Sequence, residues 1–380
     1  MKFNKWTLGL AAVGLVGLNS AAQAEDTSST VLTALSSTTL SGYVDTSAQW
    51  NLGTGNANNP PYSFGGAGKA DGFNLNVVQL SLDRPLDESE WAAGYHVDLW
   101  MGPDANALGS SSTGTSSDFA IRQAYVALRT PIGNGIDWKI GVFDTIIGYE
   151  SLTSYNNPNY TRSYGFTIEP TTHTGIVGTY KINDMASVTA GIANTIGPAI
   201  NNRAFFAGGP ADGTEAESYK AYMGSVALTA PSSWGWIGGS TLSAGIVNGF
   251  NASAGANSAN YYVGATMNTP INALKVGASY DLLDIHNADG DAWVLGGYVS
   301  YQATEKLSLN GRAEYADQVN SAHVFETTAT AQYDLWKNVV TRVEFRWDHG
   351  SNGDFFGGTI AGDPTRRNAY MLAAQAIYKF

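Results

Sequence analysis

The sequence contains no cysteine, and after its N-terminal segment it has no apolar run long enough to cross a bilayer as a helix. Of its 380 residues only 14% are charged, yet charged residues or glycines interrupt every hydrophobic stretch. Without cysteine the protein has no disulfide, no thiolate metal ligand and no cysteine nucleophile. A spanning helix needs roughly 20 consecutive apolar residues. The composition therefore argues against a helical membrane protein.

The N-terminal segment has the features of a secretory signal peptide. Two lysines precede an apolar run over residues 8–18, and a small-x-small cleavage site ends at Ala24. We therefore expect residues 1–24 to be removed by cleavage near Ala24, and residues 25–38 to form a short periplasmic lead. An exported chain without a spanning helix is either soluble outside the cytoplasm or a barrel of strands.

The abundant residues are those of strands and turns. The chain has 44 Gly, 20 Tyr, 14 Phe and 10 Trp, and helix-favouring stretches are scarce. A formal net charge of -12 disfavours nucleic acid as a partner. The five histidines form no metal motif and no recognisable nucleophile arrangement. We predict no catalytic residue, no metal site and no cofactor.

From residue 39 onward the chain divides into segments of alternating polarity, separated by Gly, Asn, Pro and Asp clusters. The connections alternate between long and short, which is the pattern of an outer-membrane barrel with short periplasmic turns and long extracellular loops. A sandwich of half-buried soluble strands has no reason to follow this pattern. We predict an all-β transmembrane antiparallel up-and-down barrel over residues 39–380. The sixteen predicted strands lie near residues 39–50, 73–83, 91–101, 118–129, 136–144, 172–181, 185–195, 218–229, 240–249, 259–268, 273–283, 292–302, 305–315, 323–335, 338–348 and 368–380.

The predicted strand at 338–348 indicates what the barrel encloses. One of its faces is uncharged and the other carries four charges, which an apolar core could not take without a large desolvation cost. Sixteen strands enclose an aqueous channel, whereas about eight would be filled by side chains. The charged face therefore predicts a wet lumen. The outward residues are Val339, Thr341, Val343, Phe345 and Trp347, and the inward residues are Val340, Arg342, Glu344, Arg346 and Asp348.

Aromatic residues stand near the ends of the predicted strands. The last strand alternates from Tyr370 to Phe380, with one uncharged face that has aromatics at both ends. Tryptophan near strand ends is typical of the belts at the two membrane interfaces. The tryptophans assigned to these belts are Trp50, Trp91, Trp100, Trp138, Trp234, Trp236, Trp293 and Trp347.

Six stretches carry a family resemblance: LSGYVD (40–45), QLSLDRPL (79–86), GYHVD (94–98), GVFDTIIGYE (141–150), NPNYTRSY (157–164) and THTG (172–175). Together they resemble the putative outer-membrane beta-barrel porin-2 family, over nearly the whole mature chain. The resemblance implies an outer-membrane barrel that passes small solutes. The C-terminal end also looks like the signal that barrel-assembly machinery recognises, which makes Tyr378 and Phe380 the predicted assembly signal.

The connection over residues 145–171 is long, amphipathic and charged. In sixteen-stranded general porins the loop after the fifth strand folds into the barrel, so by analogy we predict that this segment is the constriction loop. Its charges would face charged wall residues and orient dipolar solutes in a transverse field. The alternative is an ordinary extracellular loop. The predicted constriction and pore-lining residues are Glu150, Tyr160, Arg162 and Glu169 in the loop and Arg312, Glu314, Arg342, Glu344, Arg346 and Asp348 in the wall.

These features predict a porin of the outer membrane of a Gram-negative bacterium. It would form a water-filled channel for passive diffusion of small hydrophilic solutes and ions. The alternative is a structural or adhesive barrel whose pore is closed. The expected partners are outer-membrane lipid and lipopolysaccharide, the barrel-assembly machinery and small hydrophilic solutes. Other sixteen-stranded porins are often trimers, so a homotrimer is the expected assembly.

Overall fold

The computed structural model describes residues 37–53, 56–112, 117–203, 219–251, 256–285, 291–319 and 322–380. Within these residues sixteen antiparallel strands close into one barrel, each pairing with its neighbours in sequence and the last with the first. The predicted fold class is confirmed. The strands are β1 (Thr39–Leu52), β2 (Gly72–Arg84), β3 (Ala93–Met101), β4 (Phe119–Thr130), β5 (Ile136–Asp144), β6 (Thr172–Lys181), β7 (Ala186–Ala193), β8 (Ala221–Thr229), β9 (Thr241–Asn251), β10 (Ala256–Asn268), β11 (Leu274–Ile285), β12 (Ala292–Gln302), β13 (Leu307–Val319), β14 (Ala322–Trp336), β15 (Val339–Gly350) and β16 (Asn368–Lys379).

The ring closes at the seam between β1 and β16. Val44 lies opposite Tyr378, and the backbone groups of Gly42 and Phe380 bond to each other at 2.9 and 3.0 Å. A Cβ atom on residue 42 would overlap the Gln79 carbonyl oxygen of β2 and would lie 2.8 Å from the ring of Phe380. Glycine at position 42 therefore allows the last residue of the chain to reach the first strand, which leaves no open strand edge in the bilayer.

The two faces of β15 are those that the sequence predicts. Val343 and Phe345 point outward and are 56% and 42% exposed, whereas Arg342, Glu344 and Arg346 point inward and are at most 2% exposed. The predicted facing is confirmed. The expectation of a wet lumen along this strand is wrong, because protein rather than water covers the inward charges.

Two β-bulges alter the alternation on the wall formed by β2 and β4. Asn76 has no partner in β1, where the register of the β1–β2 pair shifts. Arg122 is likewise skipped in the pairing of β3 with β4. The second bulge turns both Arg122 and Gln123 inward, although strict alternation would place one of them in lipid. Gln123 is buried and donates to Asp98 at 2.9 Å.

The connections follow the predicted alternation only in part. Long connections join the strands at one rim, which we call the loop rim. The start of β1 and the end of β16 lie at the opposite rim, which we call the terminal rim. The predicted long loops at 250–258 and 316–322 are wrong, because the flanking strands continue to Asn251 and Val319 and pair beyond the expected boundaries. The long loop-rim connections are residues 53–71, 102–118, 145–171, 194–220 and 351–367.

Helices occupy little of the described chain. Two short α-helices lie in loop-rim connections, α1 at Pro103–Leu108 and α2 at Tyr164–Ile168. No helix in the described ranges has the length and apolar character needed to cross a membrane. The expected signal peptide, residues 1–24, and most of the expected lead at 25–38 lie outside the described residues.

Of the eight tryptophans assigned to the membrane-interface belts, four are exposed and one is buried inside the barrel. Trp50 and Trp91 are exposed, as are Trp234 and Trp236. Trp100 is 1% exposed, points inward and donates through Nε1 to Gln79 at 2.7 Å. Its assignment to a belt is wrong, because it has the same parity on β3 as the inward Asp98.

We expect Val343→Arg to lower the free energy of unfolding by about 2–4 kcal/mol, because it places a cation in the lipid-facing wall near the middle of β15. Val343→Leu is the matched control and should stay within about 1 kcal/mol of the wild type, since it keeps an apolar group at the same depth. The measurement is reversible urea unfolding from lipid vesicles. Equal stability of the two variants would contradict the outward facing of Val343.

Candidate pore constriction

Residues 145–171, which we call the inner loop, pack against the inner wall of the barrel. Leu152 and Phe166 of the loop share a buried apolar cluster with Val340 and Ile377 of the wall. Helix α2 begins after Ser163, whose Oγ accepts from the Phe166 N–H at 2.9 Å and so caps the helix. The loop therefore has its own local structure and a complementary apolar contact with β15 and β16.

Glu344 of β15 binds backbone donors of the inner loop. Its carboxylate accepts from the N–H groups of Tyr160 and Thr161 at 2.5 and 2.9 Å, and from the Thr161 hydroxyl at 2.6 Å. Thr330 of β14 donates to the same carboxylate at 2.8 Å. Four donors thus compensate a carboxylate that is 1% exposed, which offsets its desolvation cost.

Arg342 lies two residues before Glu344 on the same face of β15 and binds backbone acceptors of the inner loop. Its guanidinium donates to the carbonyl oxygens of Ser154 and Asn157 at 3.1 and 2.5 Å, and to that of Tyr155 at 3.4 Å. It also donates to the Gln375 amide oxygen at 3.0 Å. Arg342 and Glu344 together hold the path of the loop through its main chain.

Arg312 of β13 joins the loop to the wall by an ion pair. It lies 2.8 Å from the Glu150 carboxylate and 3.2 Å from that of Glu326, and it donates to the Thr161 carbonyl at 2.8 Å. Glu314 lies 3.4 Å from the same guanidinium. The three carboxylates and the arginine are fully buried, so each depends on the others for compensation.

Arg346 and Asp348 form the next group along β15. Arg346 lies 2.8 Å from Asp348, donates to the Arg162 carbonyl at 2.8 Å and stacks over the Tyr62 ring at 4.0 Å. The Tyr164 hydroxyl donates to Asp348 at 2.7 Å. The Tyr164 N–H donates to Glu314 at 2.9 Å, so the first residue of α2 binds two wall carboxylates.

The side chain of Arg162 turns toward its own loop. Its guanidinium donates to the carbonyl oxygens of Leu152 and Tyr160 at 3.0 and 3.4 Å and lies over the rings of Phe64 and Phe166. It therefore does not oppose the wall arginines across water. The wall arginines expected to set up a transverse field, Arg342 and Arg346, are buried against loop carbonyl oxygens or carboxylates instead.

Glu169 lies apart from these groups, near the end of the inner loop. Burial raises the pKa of its carboxyl well above the usual range, and the adjacent Asp281 carboxylate of β11 raises it further. Contacts between the loop and β13–β15 bring together the other nine of the ten predicted constriction residues. These nine are Glu150, Tyr160, Arg162, Arg312, Glu314, Arg342, Glu344, Arg346 and Asp348.

A cavity of about 550 Å³ lies on the other side of the lumen, along β2 to β7. It extends from Arg84 and Pro85 near the terminal rim to Glu169 and Pro170 of the inner loop. Sequence patterns drew attention to the crowded side of the lumen and did not identify this open side.

The charges that line the cavity are mostly paired. His96 lies between Asp83 and Asp98, at 2.9 and 3.1 Å, and Arg122 pairs with Asp144 at 2.5 Å. Lys139 has no carboxylate partner among the described residues and lies 4.9 Å from the Tyr125 ring. Its parity with Asp137 in β5 also places Lys139 on the lumen face.

Within the described residues, no three His, Cys, Asp or Glu side chains come together in a way that could hold a metal ion.

A family model described as "Putative beta-barrel porin-2, OmpL-like" matches residues 37–380. No curated protein matches the chain. Among solved structures, the outer-membrane channel DcaP of Acinetobacter baumannii has a TM-score of 0.59 at 14% identity, over 90% of this chain and 97% of that one. An anion-selective porin from Comamonas acidovorans has a TM-score of 0.57 at 15% identity, over 90% and 99%. The trimer form of OmpT from Vibrio cholerae has a TM-score of 0.55 at 15% identity, over 90% and 99%. These likenesses are in fold.

We expect Glu344→Ala to lower the free energy of unfolding by about 2–4 kcal/mol, because it leaves buried donors of Tyr160, Thr161 and Thr330 without an acceptor. Glu305→Ala, at an exposed turn position, is the control and should change it by less than about 0.5 kcal/mol. Urea unfolding from vesicles measures both. A loss for Glu344→Ala no larger than that of the control would contradict the anchoring role of this carboxylate.

Proposed function

The chain belongs to the putative beta-barrel porin-2 family. We propose that small hydrophilic solutes and ions cross it beside the inner loop, along β2 to β7. The protein is an outer-membrane porin. Its family and fold are those of a channel, and we propose passive diffusion with no catalytic step.

The observation that carries the proposal is the unequal filling of the lumen. Residues of the inner loop occupy the side at β13–β15, where charged groups such as Arg312 and Glu344 are buried. The cavity of about 550 Å³ lies at β2 to β7, and the loop residues Glu150 and Glu169 form part of its lining. We infer that the inner loop is the constriction, and that it narrows the passage by occupying one side of the barrel.

The lining of the cavity supports passage of polar solutes. Asp98, Arg122 and Asp144 present charges that are already compensated, so a solute meets polar groups without a deep electrostatic trap. Lys139 is a lining cation that lies 4.9 Å from the Tyr125 ring. We propose that it biases the passage toward anions.

We also propose the steps that bring the protein to the membrane. Residues 1–24 would direct export and be cleaved near Ala24, and Tyr378 and Phe380 would be recognised by the barrel-assembly machinery of a Gram-negative bacterium. The aromatic rims and outward apolar band suit contact with lipid and lipopolysaccharide. N-terminal sequencing of the mature protein tests the cleavage site, which should leave Glu25 as the first residue.

A homotrimer is the assembly that we propose. A groove of about 470 Å³ on the outer surface crosses the seam, with the small side chains of Ala374 and Ala376 on β16 and the larger Phe73 and Leu75 across β1 on β2. Small residues let two barrels approach closely. The trimer form of OmpT from Vibrio cholerae is a neighbour in fold. Native mass spectrometry of the solubilised protein measures the state, and a monomer would contradict it.

We expect deletion of residues 152–164 to raise the single-channel conductance in a planar bilayer by about twofold or more, because an unobstructed sixteen-stranded barrel encloses a wide aqueous channel. Replacing residues 360–363, which are exposed at the loop rim, by glycines is the control and should leave the conductance unchanged. Glu344→Ala, which removes one anchor, is a second variant expected to conduct more than the wild type.

Unchanged conductance of a folded deletion variant would contradict the constriction. A wild-type barrel that inserts correctly and carries no current would favour the alternative, a structural or adhesive barrel with a closed pore.

We expect Lys139→Glu to shift the reversal potential in a salt gradient toward cation preference, because it reverses a cation of the cavity lining that lies against the Tyr125 ring. Lys306→Glu is the matched control, since Lys306 is exposed in a turn at the terminal rim outside the cavity lining. The same shift in both variants would show that overall charge, rather than the cavity, sets ion preference.

A further inference from the structure

Three hydroxyl groups converge on the inner wall at β10, β11 and β12. Ser279 of β11 lies between Gly264 and Gly296 in the pairing register. A Cβ atom on residue 264 would overlap the Tyr262 hydroxyl, and one on residue 296 would lie 3.0 Å from Ser279 Oγ and 3.4 Å from the Tyr298 hydroxyl. The two glycines therefore make room for the two phenols to fold over the wall on either side of Ser279.

Asp281 adds a carboxylate to these hydroxyls. It lies two residues from Ser279 on the same face of β11, directly opposite Tyr262 in the neighbouring strand. Neither of its carboxylate oxygens makes a hydrogen bond of normal geometry, and the same holds for the hydroxyls of Tyr262, Ser279 and Tyr298. Ser279 and Glu169 lie close enough to act on the Asp281 carboxyl, and Ser243 lies close enough to act on the Tyr262 hydroxyl. All four side chains are at most 4% exposed. Unpaired buried polar groups are rare and costly, so this many in one place require an explanation.

The inner loop brings a second carboxyl to the same place. Glu169 is adjacent to Asp281, and the charges that act most strongly on the Tyr262 phenol are these two carboxyls. Glycines in the loop provide the space. A Cβ atom on residue 148, whose φ is +115°, would overlap the Glu169 carboxyl, and one on residue 165 would lie 2.6 Å from Asp281 Oδ2. Such a φ is rarely adopted by a residue with a side chain.

The buried wall cation Arg312 pairs with other carboxylates. Arg312 contacts Glu150, Glu314 and Glu326 at 2.8 to 3.4 Å. Glu169 and Asp281 therefore face each other without an arginine or lysine partner in the described chain. Two carboxylates in contact repel, and burial strengthens the repulsion because the surroundings screen it less than water does.

The chemistry of the donors identifies a suitable ligand. All of them are oxygens, two are carboxylates, and the remainder are neutral hydroxyls. Hard divalent cations such as Ca²⁺ prefer this set, since they accept mixed carboxylate and neutral oxygen ligands in flexible geometry. A divalent charge also balances the two carboxylates.

We propose that Glu169, Asp281 and the hydroxyls of Tyr262, Ser279 and Tyr298 form a binding site for a hard divalent cation of the Ca²⁺ class. The cation joins the end of the inner loop to the wall. Close by, Asn260 donates to the Ile168 carbonyl at 2.7 Å, which brings the loop and β10 together at this point. The site is distinct from the arginine groups that hold the middle of the loop.

Terbium luminescence of the folded, purified barrel tests the site. Tb³⁺ substitutes for Ca²⁺, and bound Tb³⁺ should emit when tyrosine is excited, because Tyr262 and Tyr298 are ligands. Ca²⁺ should displace it. Asp281→Asn and Glu169→Gln should each weaken Tb³⁺ binding by about tenfold or more. Asp184→Asn, an exposed carboxylate in the turn between β6 and β7, is the matched control and should bind like the wild type.

Thermal unfolding provides a second readout that does not depend on Tb³⁺. Ca²⁺ should raise the unfolding midpoint of the wild type and of Asp184→Asn, and it should raise that of Asp281→Asn much less, since a ligand stabilises only a folded state that binds it. Heat-modifiable migration on gels confirms that each variant is folded before it is compared.

Two results would overturn the proposal. Equal Tb³⁺ affinity in Asp281→Asn and the wild type would mean that the ion binds elsewhere on the surface. Absence of Tb³⁺ and Ca²⁺ effects, together with an infrared band of a protonated carboxyl that disappears in Glu169→Gln, would mean that the pair shares a proton instead. Neither measurement uses conductance, so the site and the proposed pathway for solutes can fail separately.

Discussion

The structure depends on one constraint: inside a bilayer, every backbone N–H and C=O must find its partner within the protein. The closed ring of strands meets this requirement, and the bonds between Gly42 and Phe380 complete it. Closure also fixes the size of the interior. A ring of sixteen strands is too wide to be filled by wall side chains, so a loop or water must occupy the remaining space.

The inner loop fills one side of that space, and the charges of the wall determine where it lies. Arg342 and Glu344 would be costly to bury alone. The loop supplies carbonyl oxygens to the arginine and N–H groups to the glutamate. The same contacts that compensate the wall charges therefore hold the loop. On the side at β2 to β7, His96 and Arg122 are paired with carboxylates of the wall, and Arg122 also donates to the Thr153 hydroxyl of the loop at 2.7 Å. This side depends less on the loop and borders the cavity.

The sequence was sufficient to predict the closed ring of strands and to predict which side chains point outward and which point inward at most positions. Period-two alternation identified the outward Val343 and the inward Arg346, because one face is lipid and the other is not. It failed at Gln123, since the bulge in β4 turns two successive residues inward. Alternation also failed to show that protein, and not water, covers the inward charges of β15. Pairing between Arg312 and Glu150 joins residues far apart in sequence, and parity carries no information about what lies opposite a wall residue. The same limit applies to Arg162, whose turn toward Phe64 depends on a different loop.

The anchors of the inner loop bind mostly to its main chain, and this has an evolutionary consequence. Arg342 contacts carbonyl oxygens that any residue at positions 154, 155 and 157 would provide. At these positions the path of the loop is therefore determined by a side chain of β15 and not by the side chains of the loop. Substitutions at these three positions can accumulate without removing the contacts with Arg342, so a lineage can change these side chains while keeping the path of the loop.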